Sequence, residues 1–200
     1  MSKNGGSGWV RDSIYMTQET ALMIFKFSWG LLLVIALLSQ ILFEDKPKKK
    51  AGFIANLLVI TPYVVVFSLF YLGRYFGTHK STLATRMAGT VITVLGMIGY
   101  ILSLLSLRRN WSLSASIKEG HKLIKSGPYK LVRHPMYSSM TVIVLGAGLL
   151  TANYMMILFT PVVGIVYYIR AGKEEALLRG EFPEYDQYAG ETKMLIPGIF

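Results

Sequence analysis

The sequence predicts an all-α, polytopic membrane protein of about five transmembrane helices. Three observations carry that reading. Of 200 residues, 52% are hydrophobic and only 16% charged, against about 25% charged in soluble domains. The apolar residues are gathered into runs, and about 20 apolar residues cross a bilayer. The cations are gathered between those runs, chiefly on one predicted side. A net charge of +10 would suggest nucleic acid as the partner of a soluble domain. Beside apolar runs it reads as a topology signal, and no nucleic-acid partner is expected. The chain has no cysteine, which excludes disulfides, thiolate nucleophiles and Cys-ligated zinc.

Residues 1–19 form a polar tail with Gly5, Gly6 and Gly8 near its start. Thr20–Phe43 is almost wholly apolar and reads as the first transmembrane helix. Lys26 lies near one end, where its stem reaches the headgroups. The run is too long for a secretory signal and lacks a small-residue cleavage site. It is therefore expected to stay in the mature protein. EDKPKKK, from Glu44 to Lys50, ends it with a helix-stopping Pro47 and four lysines. Gly52–Gly73 is the second helix, with Pro62 expected to kink it. Arg74–Arg86 is a polar loop, and Met87–Leu107 is the third helix. Its Gly89, Gly96 and Gly99 allow close approach of a neighbouring helix. These three spans make up residues 20–107.

Residues 108–200 are read as the functional region. Arg108–Pro135 is long and polar, with turn signals at Gly120 and Gly127–Pro128. Tyr137–Ile169 is apolar again, too long for one span and short for two. Ala152–Asn153 is the natural break, so two short helices, Ser138–Thr151 and Tyr154–Ile169, are expected as a tight hairpin over residues 138–169. Helices this short cross a bilayer fully only where it thins or where protein surrounds them. Arg170, Lys173, Glu174, Leu177 and Leu178 keep helical spacing past the apolar run, and Pro183 ends the pattern. Tyr185, Tyr188 and Gly190 suggest a further short amphipathic piece. With the N-terminus outside, inner segments hold fifteen cations and outer ones five. That places the 108–135 region and the tail together in the cytoplasm.

The densest polar stretch is His121–Tyr137, HKLIKSGPYKLVRHPMY. It holds two of the three histidines together with Lys122, Lys125, Lys130 and Arg133. A basic loop lying on anionic lipid is one reading; a ligand site at the membrane surface is the sharper one. A hairpin returns the chain to the face it left, so Arg170 is expected back beside Arg133 and His134. Arg170 and Glu174 share a helix face at i, i+4. They either pair with each other or hold an anionic and a cationic ligand group separately. Pro135 suits a first helical turn, and His134 there is a hydrogen-bonding clamp or a base. His79, His121 and His134 share no metal-ligand spacing. Neither a phosphate-binding loop nor a Gly-x-Ser-x-Gly motif is present. Gly146 and Gly148 read as packing.

Taken in order, His121-x-Leu123-x(3)-Gly127-x-Tyr129, then Arg133-His134-Pro135-x-Tyr137, a hairpin, and Arg170-x(3)-Glu174-Glu175 resemble the isoprenylcysteine carboxyl methyltransferase family. More widely they resemble the membrane methyltransferases that include phospholipid N-methyltransferases. The likeness covers roughly residues 110–197. It implies an S-adenosylmethionine cofactor held without a Rossmann domain. By the resemblance, His121, Lys122, Leu123 and Ile124 line the cofactor, partly through backbone groups. Tyr129, His134, Pro135, Met136 and Tyr137 continue that wall, and Glu174 contacts the cofactor. Arg170 matches the arginine that holds the substrate carboxylate and is the implied catalytic residue. Gly127-Pro128-Tyr129 departs from the Gly-Val-Tyr or Gly-Ile-Tyr of many relatives and stiffens the turn.

The implied reaction is methyl transfer to a membrane-associated acceptor, a prenylated cysteine carboxylate or a similar isoprenoid or lipid entering from the bilayer. The nucleophile is already ionised near neutral pH, so positioning and desolvation suffice, with Arg170 clamping the carboxylate bidentately. Alternatives are a phospholipid N-methyltransferase or another small-molecule methyltransferase. Less favoured are a sterol-type NADPH reductase, whose relatives are longer, and a non-enzymatic lipid-binding membrane protein.

Overall fold

The computed structural model describes residues 82–111, 117, 118 and 120–199, together with positions 23, 26, 27, 30, 47–49 and 68. Met23, Lys26, Phe27 and Gly30 are helical, as is Ser68. The rest of the first two expected spans, the Pro62 kink and His79 lie outside the described residues.

Four helices and one short ladder build the described part. Helix α1 is Leu83–Leu107, α2 Pro135–Leu150, α3 Tyr154–Arg179 and α4 Tyr185–Glu191. Strand β1, Pro47–Lys49, pairs antiparallel with β2, Ile117–Lys118. Helix α1 starts four residues earlier than hydropathy suggests because Thr82 caps it, its side chain accepting from the Thr85 N–H at 3.2 Å. Both α1 and α3 are long and apolar enough to cross a membrane. Helix α2, with 16 residues, spans about 24 Å at 1.5 Å per residue, short of a hydrocarbon core.

The hairpin break falls where expected. Ala152 adopts a left-handed φ of 50°, and Asn153 caps α3 by accepting from the Met156 N–H at 3.2 Å. Helix α3 is not the short piece ending at Ile169 that apolarity alone outlines. It runs unbroken to Arg179, because residues 170–179 keep helix-compatible side chains after the apolar run stops. Gly180 caps it, three residues ahead of Pro183.

Helices α1 and α2 approach backbone to backbone. A Cβ built on Gly146 would lie 2.6 Å from the Thr93 nitrogen, and one built on Gly89 would meet the backbone of Leu150. Gly96 faces Ile143 in the same seam. Tyr100, Leu104, Trp111, Met140, Ile143, Val144, Ala147, Met156, Val163 and Tyr167 fill the core between the three long helices. The outer faces of α1 and α3 stay apolar and exposed, at Val91, Leu95, Leu102, Leu158, Val162 and Ile165 among others. That is the surface a helix presents to lipid or to further apolar helices.

Candidate active site at the base of the hairpin

The site grows from the turn that feeds α2. Gly127, at a φ of 62°, opens a 3-10 turn over Gly127–Lys130, which only a residue without Cβ enters freely. Tyr129 is buried in that turn. Its carbonyl accepts from the Tyr188 hydroxyl of α4 at 2.6 Å. Residues 132–134 then run beside the C-terminal segment. The Arg133 N–H donates to the Lys193 carbonyl at 2.8 Å, and the His134 N–H to Met194 at 3.0 Å. The Ser138 hydroxyl donates to the Leu195 carbonyl at 2.5 Å. The tail is thus laced along the entrance to α2.

Arg133 draws three elements together. Its Nε donates to Glu175 of α3 at 2.7 Å. Its Nη1 donates to the Ala189 carbonyl of α4 at 3.0 Å and to the Thr192 carbonyl. Glu175 is 1% exposed. It also lies 3.4 Å from His134 Nε2 and 3.3 Å from the Arg179 guanidinium. A buried carboxylate with such partners is held, where an unpartnered one would be expelled. The spacing Arg170-x(3)-Glu174-Glu175 was legible in the sequence, but a structural role for Glu175 was not. Tyr185 and Tyr188 were read only as part of a short amphipathic piece, without a place at the site, and the 192–195 segment was missed. Of these, only the tyrosine pair at i, i+3 left a sequence trace.

Beside this anchor sits a second group. The Tyr137 hydroxyl donates to Glu174 Oε1 at 2.5 Å and accepts from Arg170 Nε at 2.5 Å. Arg170 Nε also reaches Glu174 Oε1 at 3.1 Å. The guanidinium lies 5.4 Å from the Tyr137 ring centre. Glu174 Oε2 is 3.7 Å from His134 Nδ1. The His134, Tyr137 and Tyr167 rings are stacked nearly parallel, with centroids 5.6 and 4.9 Å apart. Arg170 is 7% exposed, whereas the Glu174 side chain keeps 20% of its surface open. The hairpin therefore brings residues 30 to 40 positions apart into one cluster. The i, i+4 contact of Arg170 with Glu174 is made in this state, with Tyr137 bridging it.

The other residues singled out from sequence lie around this cluster. His121 is half-buried with its ring 5.8 Å from that of Phe182. The Lys122 N–H donates to Asn110 Oδ1 at 3.1 Å, which ties the 121–124 segment to the turn after α1. Leu123 and Ile124 are half-buried in the same irregular stretch. Pro135 is buried in the first turn of α2, and Met136 packs on the core. Burial pushes the Tyr188 phenol up to about 12 and raises Tyr185 too. Burial and then the charge of Glu174 raise Tyr129. All three phenols are therefore neutral at physiological pH.

The donor set suits a cationic ligand. A carboxylate open to solvent stands beside stacked π faces, and both attract positive charge. A sulfonium cofactor with an ammonium group is such a ligand, and the neighbouring guanidinium suits an anion.

A profile of the isoprenylcysteine carboxyl methyltransferase family matches residues 87–180. The cobalt-zinc-cadmium resistance protein CzcN of Cupriavidus metallidurans is 30% identical over 146 residues, 70% of this chain and 62% of that protein. The nickel-cobalt-cadmium resistance protein NccN of Alcaligenes xylosoxydans xylosoxydans is 29% identical over 60% of this chain and 56% of its own. A probable protein-S-isoprenylcysteine O-methyltransferase of Oryza sativa subsp. indica is 28% identical over 72% of this chain and 80% of its own. The chain spans only 56–62% of the length of the two bacterial relatives. Among the described residues no group of three His, Asp or Glu side chains is placed to hold a metal ion.

Proposed function

We propose that this chain, whose residues 87–180 match the isoprenylcysteine carboxyl methyltransferase family, is a membrane-embedded, S-adenosylmethionine-dependent methyltransferase. Its acceptor is the carboxylate of a prenylated cysteine or a similar isoprenoid or lipid acid. The observation that carries this is the pairing of opposite charges at the hairpin base, Glu174 beside the stacked rings and Arg170 one turn earlier. In this reading Glu174, with a wall of His121 to Ile124, Tyr129 and His134 to Tyr137, holds the cofactor. Arg170 holds the acceptor carboxylate. The protein crosses the bilayer about five times, with this site on the cytoplasmic side.

When bound, S-adenosylmethionine supplies an electrophilic methyl group: a carbon–oxygen bond forms at the carboxylate, the carbon–sulfur bond breaks, and no proton moves. The residues have correspondingly little chemistry to perform. Arg170 aligns the carboxylate through its planar fork. The core of Tyr137, Met140 and Tyr167 keeps water away from the nucleophile, which strengthens each electrostatic contact. An acceptor with an apolar tail enters between the lipid-facing helices and brings only its acid group to the base of the hairpin.

Detergent-purified protein is offered methyl-labelled S-adenosylmethionine with S-farnesyl-cysteine acid, phosphatidylethanolamine or no acceptor. Label in a base-labile ester of the prenylated acid is the expected result. Arg170→Ala should lower kcat/KM by about 30-fold or more, since removing one partner of a buried charged hydrogen bond costs about 2–5 kcal/mol. Label appearing only in the amine lipid would move the reading to N-methylation. Binding of NADPH and not of S-adenosylmethionine would overturn it.

A further inference from the structure

A methyltransferase of this kind needs Arg170 for an anion and Glu174 for a cation. In the structure the two are engaged with each other. Arg170 Nε reaches Glu174 Oε1 at 3.1 Å, and the Tyr137 hydroxyl closes the triangle with 2.5 Å contacts to both. Glu174 Oε1 thus receives two donors, and its second oxygen faces His134 at 3.7 Å. The guanidinium is mostly buried, so its attraction to the carboxylate is weakly screened.

Resting on the methyltransferase reading, we propose that Arg170, Tyr137 and Glu174 form a self-neutralised triangle that couples the two ligands. A carboxylate arriving at Arg170 draws the guanidinium off Glu174 and leaves that side chain free to take the cofactor's cationic part. A cation arriving at Glu174 likewise frees Arg170 for the acid. Each ligand alone must break the internal pair; the second to arrive finds it broken. Linkage requires the effect to be reciprocal. Tyr137 has two roles in the triangle. Its ring, stacked between His134 and Tyr167, fixes the hydroxyl in place, and the hydroxyl serves whichever charge remains. An empty site accordingly exposes neither a bare carboxylate nor a bare guanidinium to the bilayer surface.

The test is calorimetric binding of S-adenosylhomocysteine, which needs no turnover. In wild type, S-farnesyl-cysteine acid should tighten that binding at least about fivefold, the lower end of ordinary coupling. Its methyl ester, with the same tail and no charge, should not. The second arm needs no acceptor. Arg170→Met removes the internal competitor for Glu174 and should tighten S-adenosylhomocysteine several-fold, whereas Glu174→Gln should weaken it. Arg170→Gln serves if the methionine variant is not monodisperse. Unchanged or weaker binding in a folded Arg170 variant overturns the coupling, as does equal behaviour of acid and ester in wild type. Absence of S-adenosylhomocysteine binding to wild type overturns the methyltransferase reading itself, and the coupling with it. Weakening in Glu174→Gln without tightening in the arginine variants leaves that reading standing and removes only the coupling.

Discussion

At Glu175 a carboxylate that is 1% exposed meets Arg133 at 2.7 Å, His134 at 3.4 Å and Arg179 at 3.3 Å. The three partners do not weigh equally. The Arg133 side chain is 11% exposed and that of Arg179 46%. Removing one partner of a buried ion pair strands the other, at a cost of about 3–5 kcal/mol, while an exposed pair contributes about 1 kcal/mol or less. Glu175→Gln should therefore lower the unfolding midpoint in detergent far more than Arg179→Ala. Equal shifts in a thermal melt would show that the pair with Arg133 contributes no more than the rim contact. The neighbouring Glu174 is the contrasting case. It is the same residue type one position earlier, but 20% open, so it is available to a ligand where Glu175 is not. Sequence spacing put both glutamates after Arg170. Burial alone separates their roles.

Helices α1 and α2 meet through small residues. The glycines of α1 were legible as a packing surface from composition, since membrane helices associate where small side chains let backbones approach. Their partner was not legible, because hydropathy gives no register between helices. The structure sets Gly146 against both Gly89 and Thr93 of α1. Gly146→Val should then cost about 1–3 kcal/mol, as overpacking of a filled contact does. Gly172→Ala, where an added Cβ meets nothing within 4 Å, should be neutral or stabilising by up to about 1 kcal/mol from helix propensity. Detergent thermal stability of the two variants checks the contrast. The end of α3 makes a related point. Apolarity stops at Ile169, but the helix continues to Arg179, because helix formation follows backbone preference and not the membrane boundary.

Across the whole molecule, the pairing of Pro47–Lys49 with Ile117–Lys118 sets the lysine-rich loop beside the segment leading to the site. Two loops that meet lie on one face. The cation split of fifteen to five is the ground on which that face is proposed to be the cytoplasmic one. The chain has no cysteine of its own, so Lys48→Cys provides a single labelling position. A membrane-impermeant thiol reagent should reach it from the cytoplasmic side of sealed vesicles and not from the other. Labelling only from the outer side would invert the orientation and move the hairpin base, with Arg133, Arg170 and Glu175, to the exterior.

Several features were settled by the chain read alone. The apolar runs, the break at Ala152–Asn153, the glycine turns at Gly120 and Gly127, and the continuation of α3 past Arg170 all depend on neighbours within a few positions. Local chemistry decides such features: left-handed backbone, caps, missing N–H groups and helical spacing. The return of Arg170 to the neighbourhood of His134 followed from hairpin geometry. Only the tertiary structure decided that the Tyr137 hydroxyl stands between Arg170 and Glu174, and that Glu175 is sealed under Arg133. It alone laid the carbonyls of residues 192–195 along the start of α2. Those contacts join positions 33 to 60 residues apart. Their geometry depends on how α2 and α3 rotate about their axes as they pack, which hydrophobic patterning along one helix does not specify.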